Sequence, residues 1–134
     1  MNDNTCEGSL ILTQSFTELH RVMEINQVTE IIIQCACRVH SALGPGLLEH
    51  PYKACLKQDL KALSEVALPV LYDGITIDIG YRLDLLVEDI VIVELKAVYQ
   101  VAPIHKMQLL TYLRLSNKPV GVPSIRNGIT RIAN

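Results

Sequence analysis

The stretch from Gly80 to Val98, GYRLDLLVEDIVIVELKAV, constrains this chain more than any other. Two apolar runs flank Glu88-Asp89, the pattern of two strands joined by a tight turn. Into that hairpin come side chains that do not belong in an apolar layer. Asp84 lies within Leu83–Val87, and Glu94 and Lys96 interrupt Val91–Ala97. Ionised groups are rarely buried unless they are paired or bound to a metal. Two neighbouring carboxylates repel one another, and a cation between them is the simplest reason for both to stay charged. Strand side chains alternate between faces, so Glu94 and Lys96 point the same way. Asp84 joins them only if the turn has an odd number of residues, ~3 being a common hairpin length. A turn shorter by one residue sends Asp84 to the opposite face.

A chain of 134 residues, 49% of them hydrophobic, fits one domain with a core of its own. Its 12 basic and 14 acidic residues give a formal charge of −2, so any basic surface for nucleic acid must be local. With no Trp, one Phe and five Tyr, a base-stacking platform is not expected. The N-terminal MNDNTCEG is polar and acidic, unlike a targeting signal. The longest apolar runs, Ile31–Ile33 and Ile90–Val93, are too short to span a bilayer, so no membrane partner is expected. Cys6, Cys35, Cys37 and Cys55 show no metal-binding spacing and read as plain buried thiols in a reducing, cytoplasmic setting.

Residues 1–24 lack clear periodicity and read as an N-terminal tail or lead-in, leaving 25–134 as the domain. From Asn26 the apolar residues Val28, Ile31, Ile32, Cys35, Val39 and Leu43 recur at three and four, predicting a helix that Gly44-Pro45-Gly46 stops. A second helix is expected from about Leu48–Pro51 through Ala62, with proline in its first turn. Lys53, Lys57 and Lys61 form a stripe along it, either a solvated face with a Glu49–Lys53 pair or a phosphate-contacting ridge. Val66–Tyr72 reads as a strand that Pro69 marks as an edge or a bulge, and Ile75–Ile79 alternates after the Asp73-Gly74 turn. The Tyr81–Glu88 and Ile90–Val98 hairpin follows. Pro103 opens a third helix, Ile104 to about Leu115, and a short strand at Pro119–Val122 and an extended piece at Gly128–Ala133 end the chain. The order predicts helices packed on a small mixed sheet, an α/β (α+β) domain.

Mg²⁺ and Mn²⁺ want hard oxygen ligands and keep several waters, a demand that two carboxylates from adjacent strands can meet. A lysine beside the glutamate can orient a water or offset charge on phosphorus. By spacing alone the motif is weak, and a salt bridge within the hairpin is the simpler explanation. Gln108 and Tyr112 lie four apart on the third helix, on one face, where an amide and a phenol can hold a phosphate or a carboxylate or simply satisfy one another. His105 reads as a surface or capping residue, and His40 as packing or a cap.

The segment GPGLLEHPY contains Gly46-x-x-Glu49-x-x-Tyr52, the pattern that names the bacterial GxxExxY proteins. GYRLDLLVEDIVIVELKAV and IHKMQLLTYLR resemble the rest of that family's signature, over about Val28 to Asn134. The family is assigned to the PD-(D/E)XK nuclease-like superfamily, and the resemblance implies a restriction-endonuclease-like αβββαβ core. It also implies Asp84 and Glu94 as metal-binding acids and Lys96 as the lysine of the ExK motif. Glu49 matches an additional acid on the helix before the sheet. Gln108 and Tyr112 resemble the QxxxY motif of RecB-type exonucleases, and His40 matches a histidine that the family places just before the GPG turn. The expected function is therefore metal-dependent hydrolysis of phosphodiester bonds in DNA or RNA, with Mg²⁺ or Mn²⁺. Lys53, Lys57, Arg82 and Arg114 are the expected phosphate contacts.

The sequence departs from the family pattern after Val120-Gly121, passing directly into Val122-Pro123-Ser124. A shortened last core strand is the expectation, with a neighbouring sheet edge exposed and open to pairing in a homo-oligomer. The alternative to a nuclease is a catalytically silent nucleic-acid-binding or accessory domain on the same fold.

Overall fold

The computed structural model describes residues 5–44, 46, 48–125, 128–129 and 131–133. Helix α1 spans Thr5–Leu43, 39 residues, and thus starts well before the expected Asn26. Residues 17–24 are exposed along it, and the buried face begins at Ile25 and continues through Val28, Ile32, Ala36 and Val39. From Thr5 the lead-in is therefore helical, and over 17–24 its lack of apolar periodicity goes with an exposed helix rather than irregular backbone. Cys37 is exposed while Cys35 and Cys55 are half-buried, so the expectation of buried thiols fails at Cys37. Gly44, at φ 80°, ends the helix in the left-handed region that glycine adopts without strain.

Helix α2 (Glu49–Leu60) carries Pro51 in its first turn and buries Tyr52, Leu56 and Leu60. The expected strand at Val66–Tyr72 divides in two around Leu68-Pro69, because proline lacks the N–H that a continuous ladder needs. Its first part is β1 (Leu63–Ala67) and its second β2 (Val70–Tyr72), which pairs only with β3 (Ile75–Ile77) in a separate hairpin. This hairpin leaves Leu71, Tyr72, Ile75 and Ile77 exposed. The main sheet continues with β4 (Arg82–Val87) and β5 (Val91–Leu95). Helix α3 (Pro103–Ser116) then crosses over to β6 (Val120–Ile125), which runs parallel to β5. Two short strands, β7 (Gly128–Ile129) and β8 (Ile132–Ala133), complete a six-stranded mixed sheet in the order β1-β4-β5-β6-β7, with β8 also on β6.

The last core strand is not stunted in its pairing. Five residues of β6, Val120 to Ser124, match all of Val91 to Leu95 on β5. Its outer side is paired at both ends, by β8 at Val120 and Gly121 and by β7 at Ser124 and Ile125. The expected exposed edge beside it is therefore covered where the C-terminal segment folds back. Among the described residues, β1 forms one edge of the sheet and the two-residue strands β7 and β8 the other.

Strand alternation sorts the side chains into two cores. Leu85, Val87, Val91, Val93, Val120 and Val122 face α1 and α2. Leu86 and Ile92 face α3, against Leu109, Tyr112 and Leu113. The approach of α3 is close enough to require glycine on β6: a Cβ at Gly121 would sit 2.7 Å from Leu109 Cδ1 and 2.8 Å from its Cγ. Leu109 is itself buried, so its head cannot swing aside. Gly121→Ala is expected to cost about 1–3 kcal/mol through overpacking, read as a lower urea midpoint, with part of the loss restored by Leu109→Val. An unchanged midpoint for Gly121→Ala would show that α3 has room to shift.

Candidate active site

The turn between β4 and β5 settles the question of parity. Val87 pairs with Val91, leaving three residues, Glu88, Asp89 and Ile90, in the turn. Glu88 and Asp89 both take left-handed backbone, at φ 52° and 57°, and the Ile90 N–H closes the turn on the Val87 carbonyl at 3.0 Å. The odd-length turn sets Asp84 across from Glu94 where the register would continue, and Glu94, like Ile92, is on the side that faces α3. Asp84 sits where the alternation of β4 breaks, since Leu83 and Leu86 both pack in the α3-side core, and its Oδ1 meets Lys53 of α2.

The β4–β5 ladder runs from Val87↔Val91 to Leu85↔Val93 and then stops. Where the next rung would fall, carboxylates take the place of carbonyls. Asp84 N–H donates to Glu94 Oε1 at 3.3 Å, and Leu95 N–H donates to Asp84 Oδ2 at 2.9 Å. Each acid therefore satisfies a backbone amide on the other strand, which orients both and keeps the strand ends apart. Glu94 is 6% exposed. Burial first, and then the charge of Asp84, push its carboxyl up to about 8. Among the described residues no salt bridge joins Glu94 to a lysine or arginine.

Lys96 follows on the same face. Its Nζ donates to Gln108 Oε1 at 3.2 Å, and Gln108 Nε2 donates to the Tyr112 hydroxyl at 2.9 Å. Gln108 thus faces the lysine, and the amide–phenol pair is not isolated. Burial raises the Tyr112 phenol, opposed by the Gln108 hydrogen bond and reinforced by Glu94, so it stays protonated at neutral pH. The Tyr81 ring packs against Tyr112, with centroids 5.6 Å apart.

Other expected residues fall elsewhere. Glu49 is exposed at the first position of α2, and among the described residues no third His, Cys, Asp or Glu makes a metal-binding group with the acid pair. Lys57, Arg82 and Arg114 are exposed; Arg82 lies 3.6 Å from Asp78. Lys53 is not on a solvated face: it contacts Asp84 Oδ1 at 3.4 Å and also pairs with Glu65. His105 accepts from the Ala102 N–H through Nδ1 at 3.0 Å, a helix cap. Tyr52 is buried, its hydroxyl hydrogen-bonded to Ser124 Oγ at 3.0 Å and its ring 4.8 Å from that of His40. The tyrosine of Gly46-x-x-Glu49-x-x-Tyr52 therefore ties α2 to β6, and His40 is its packing partner.

A profile of the PD-(D/E)XK nuclease superfamily matches residues 26–123, most of the chain. The chain belongs to that superfamily. Comparisons with curated proteins and with solved structures returned no match. The helix, three-strand meander, helix and parallel strand seen here agree with the restriction-endonuclease-like fold, with the β2–β3 hairpin inserted between its first two strands. PD-(D/E)XK nucleases typically use divalent metal ions, and the donors present fit such an ion. Two carboxylates converge at the end of the hairpin, one of them buried and, among the described residues, in no salt bridge. A site with few protein ligands suits Mg²⁺ or Mn²⁺, which keep much of their water. No helix among the described residues is long and apolar enough to cross a membrane.

The buried glutamate makes a measurable demand on stability. Its folded pKa, about 8, lies above the ordinary 4.5, so between those values the folded protein holds a proton that the unfolded chain releases. Stability in chelator should therefore fall as pH rises through that window, by at most about 1.4 kcal/mol per pH unit from this group. Urea unfolding of the wild type and Glu94→Gln at several pH values checks this. The glutamine variant should be flatter, and an identical slope in both would assign the effect to other groups.

Proposed function

We propose that this protein is a metal-dependent nuclease that hydrolyses phosphodiester bonds in DNA or RNA, of the GxxExxY kind within its superfamily. The observation that carries the reading is the convergence of Asp84 and Glu94 at the open end of the β4–β5 hairpin, with Lys96 held on the same face by Gln108. A divalent cation bound by the two carboxylates would lower the pKa of a coordinated water and offset charge on a phosphoryl oxygen. Asp84 and Glu94 keep their orientation through the backbone amides of the opposite strand, so little rearrangement separates them from the binding geometry. The Lys96 ammonium can donate to the attacking water or to a phosphate oxygen without leaving its amide partner, since it carries three protons. Gln108 fixes where that ammonium sits. Tyr112, accepting from Gln108, retains its own O–H for a phosphate oxygen.

Lys57, Arg82 and Arg114 are the exposed cations we assign to the nucleic-acid backbone. With a formal charge of −2 over the chain, the contact surface is local and few counterions are released on binding. The free thiols Cys35, Cys37 and Cys55 suit a cytoplasmic setting.

Cleavage of single- and double-stranded DNA and RNA in Mg²⁺ or Mn²⁺ tests the reading. Asp84→Asn, Glu94→Gln and Lys96→Ala should each lower the rate by about a hundredfold or more, and chelator should abolish it. Gln108→Ala should lower it less, because Lys96 remains but is no longer held. Equal activity in all variants would trace the cleavage to a contaminant. Retained nucleic-acid binding without cleavage in any form would replace the nuclease with a binding domain.

A further inference from the structure

Lys53 does something the nuclease reading does not use. It projects from α2 with its side chain only 15% exposed, and its Nζ lies between two carboxylates. One is Asp84, whose Oδ1 is 3.4 Å away. The other is Glu65 on β1. The pairings Ser64↔Leu85 and Val66↔Leu83 put Glu65 directly opposite Asp84, so three acids lie in a row across β1, β4 and β5, with Glu94 at the far end.

The oxygens of Asp84 are not equivalent. Oδ2 is committed to the Leu95 N–H, so Oδ1 is the oxygen left for a ligand, and Lys53 covers it. Glu65 also has unusual backbone. At φ 52° it is a non-glycine residue in left-handed conformation inside a strand, a strain of about 1–3 kcal/mol that persists only where surrounding structure imposes it. Its carboxylate is 62% exposed, so packing does not demand a glutamate there. Among the described residues its ion-pair partner is Lys53.

We propose that Lys53 is a tethered counter-cation for Asp84, and that Glu65 is the second station to which its ammonium withdraws when a divalent cation binds the acid pair. This inference rests on the metal-binding reading of Asp84 and Glu94 and gives Lys53 a positioning role instead of a direct phosphate contact. The ammonium and a dication compete for the same oxygen, so Lys53 sets a threshold that the ion must exceed. Glu65 lowers that threshold by stabilising the displaced lysine close by.

Mn²⁺ titration by calorimetry, together with the paramagnetic signal of free Mn²⁺, reads the competition without reference to cleavage. Lys53→Met should bind Mn²⁺ about tenfold more tightly or better, the order expected on removing one like charge a few ångströms from a dication in a half-buried setting. Glu65→Gln should bind several-fold more weakly. The decisive comparison is the double variant, which should match Lys53→Met, because Glu65 acts through the lysine and has nothing to stabilise once it is gone. If Glu65 instead weakens binding equally with and without Lys53, it acts by its charge alone and the relay is overturned. Unchanged affinity in Lys53→Met with weakened oligonucleotide binding would restore the phosphate-contact role. Circular dichroism establishes that each variant is folded, and Lys53→Gln serves if the methionine variant is not. Absence of Mn²⁺ binding in every folded form would defeat the metal reading itself, an outcome distinct from equal affinities across the series.

Discussion

The exchange of carboxylates for carbonyls at the end of the β4–β5 ladder is the constraint on which the site depends. A sheet that continued its rungs past Leu85↔Val93 would press Asp84 and Glu94 against one another with no amide to hold them. Instead each acid accepts from the main chain of the facing strand, and the hairpin opens where its chemistry begins. A buried amide needs an acceptor, and using a charged acceptor there places negative charge at a defined point for no additional structure. Burial and the charge of Asp84 make Glu94 difficult to ionise, and the Asp84 amide only partly offsets them. Its geometry is fixed by the backbone while, among the described residues, no salt bridge neutralises its charge.

The fold around that point serves to hold it. On one side, α1 and α2 cover the odd-numbered residues of β5, and on the other α3 covers the even-numbered ones. Glu94 and Lys96 belong to the second set, so they emerge where α3 can reach them with Gln108 and Tyr112. Gly121 lets α3 come that close. The polar chain from Lys96 through Gln108 to Tyr112 therefore depends on the contact between Leu109 of that helix and Gly121 of β6.

Much of this was legible in the sequence because it depends on periodicity. The period of two put Glu94 and Lys96 together, the period of 3.6 put Gln108 with Tyr112, and GPG marked the end of α1. Whether Asp84 faced Glu94 turned on the length of a turn that the sequence left open, and the structure closes it with three residues. What escaped was long-range. Glu65 is unremarkable in sequence, and only the pairing of β1 with β4 brings it opposite Asp84. Lys53 looked like one member of an exposed stripe, although one turn along, Lys57 is exposed and Lys53 is not. The early part of α1 carries no apolar stripe at 17–24, so periodicity had nothing to detect, and the pairing of β6 survives an altered sequence because β7 and β8 fold back on it.

The hydrogen bond between Tyr52 and Ser124 joins residues 72 apart in sequence. It fixes α2 relative to β6, and Lys53 is the next residue along the helix. The distance between its ammonium and Asp84 is thus referenced to a strand that lies far along the sequence from α2. Contacts of such long sequence separation form late in folding, after the loop-closure entropy has been met. A partly folded chain can assemble the β4–β5 hairpin and its acids from neighbouring residues, but the neutralising amine comes into register only with β6.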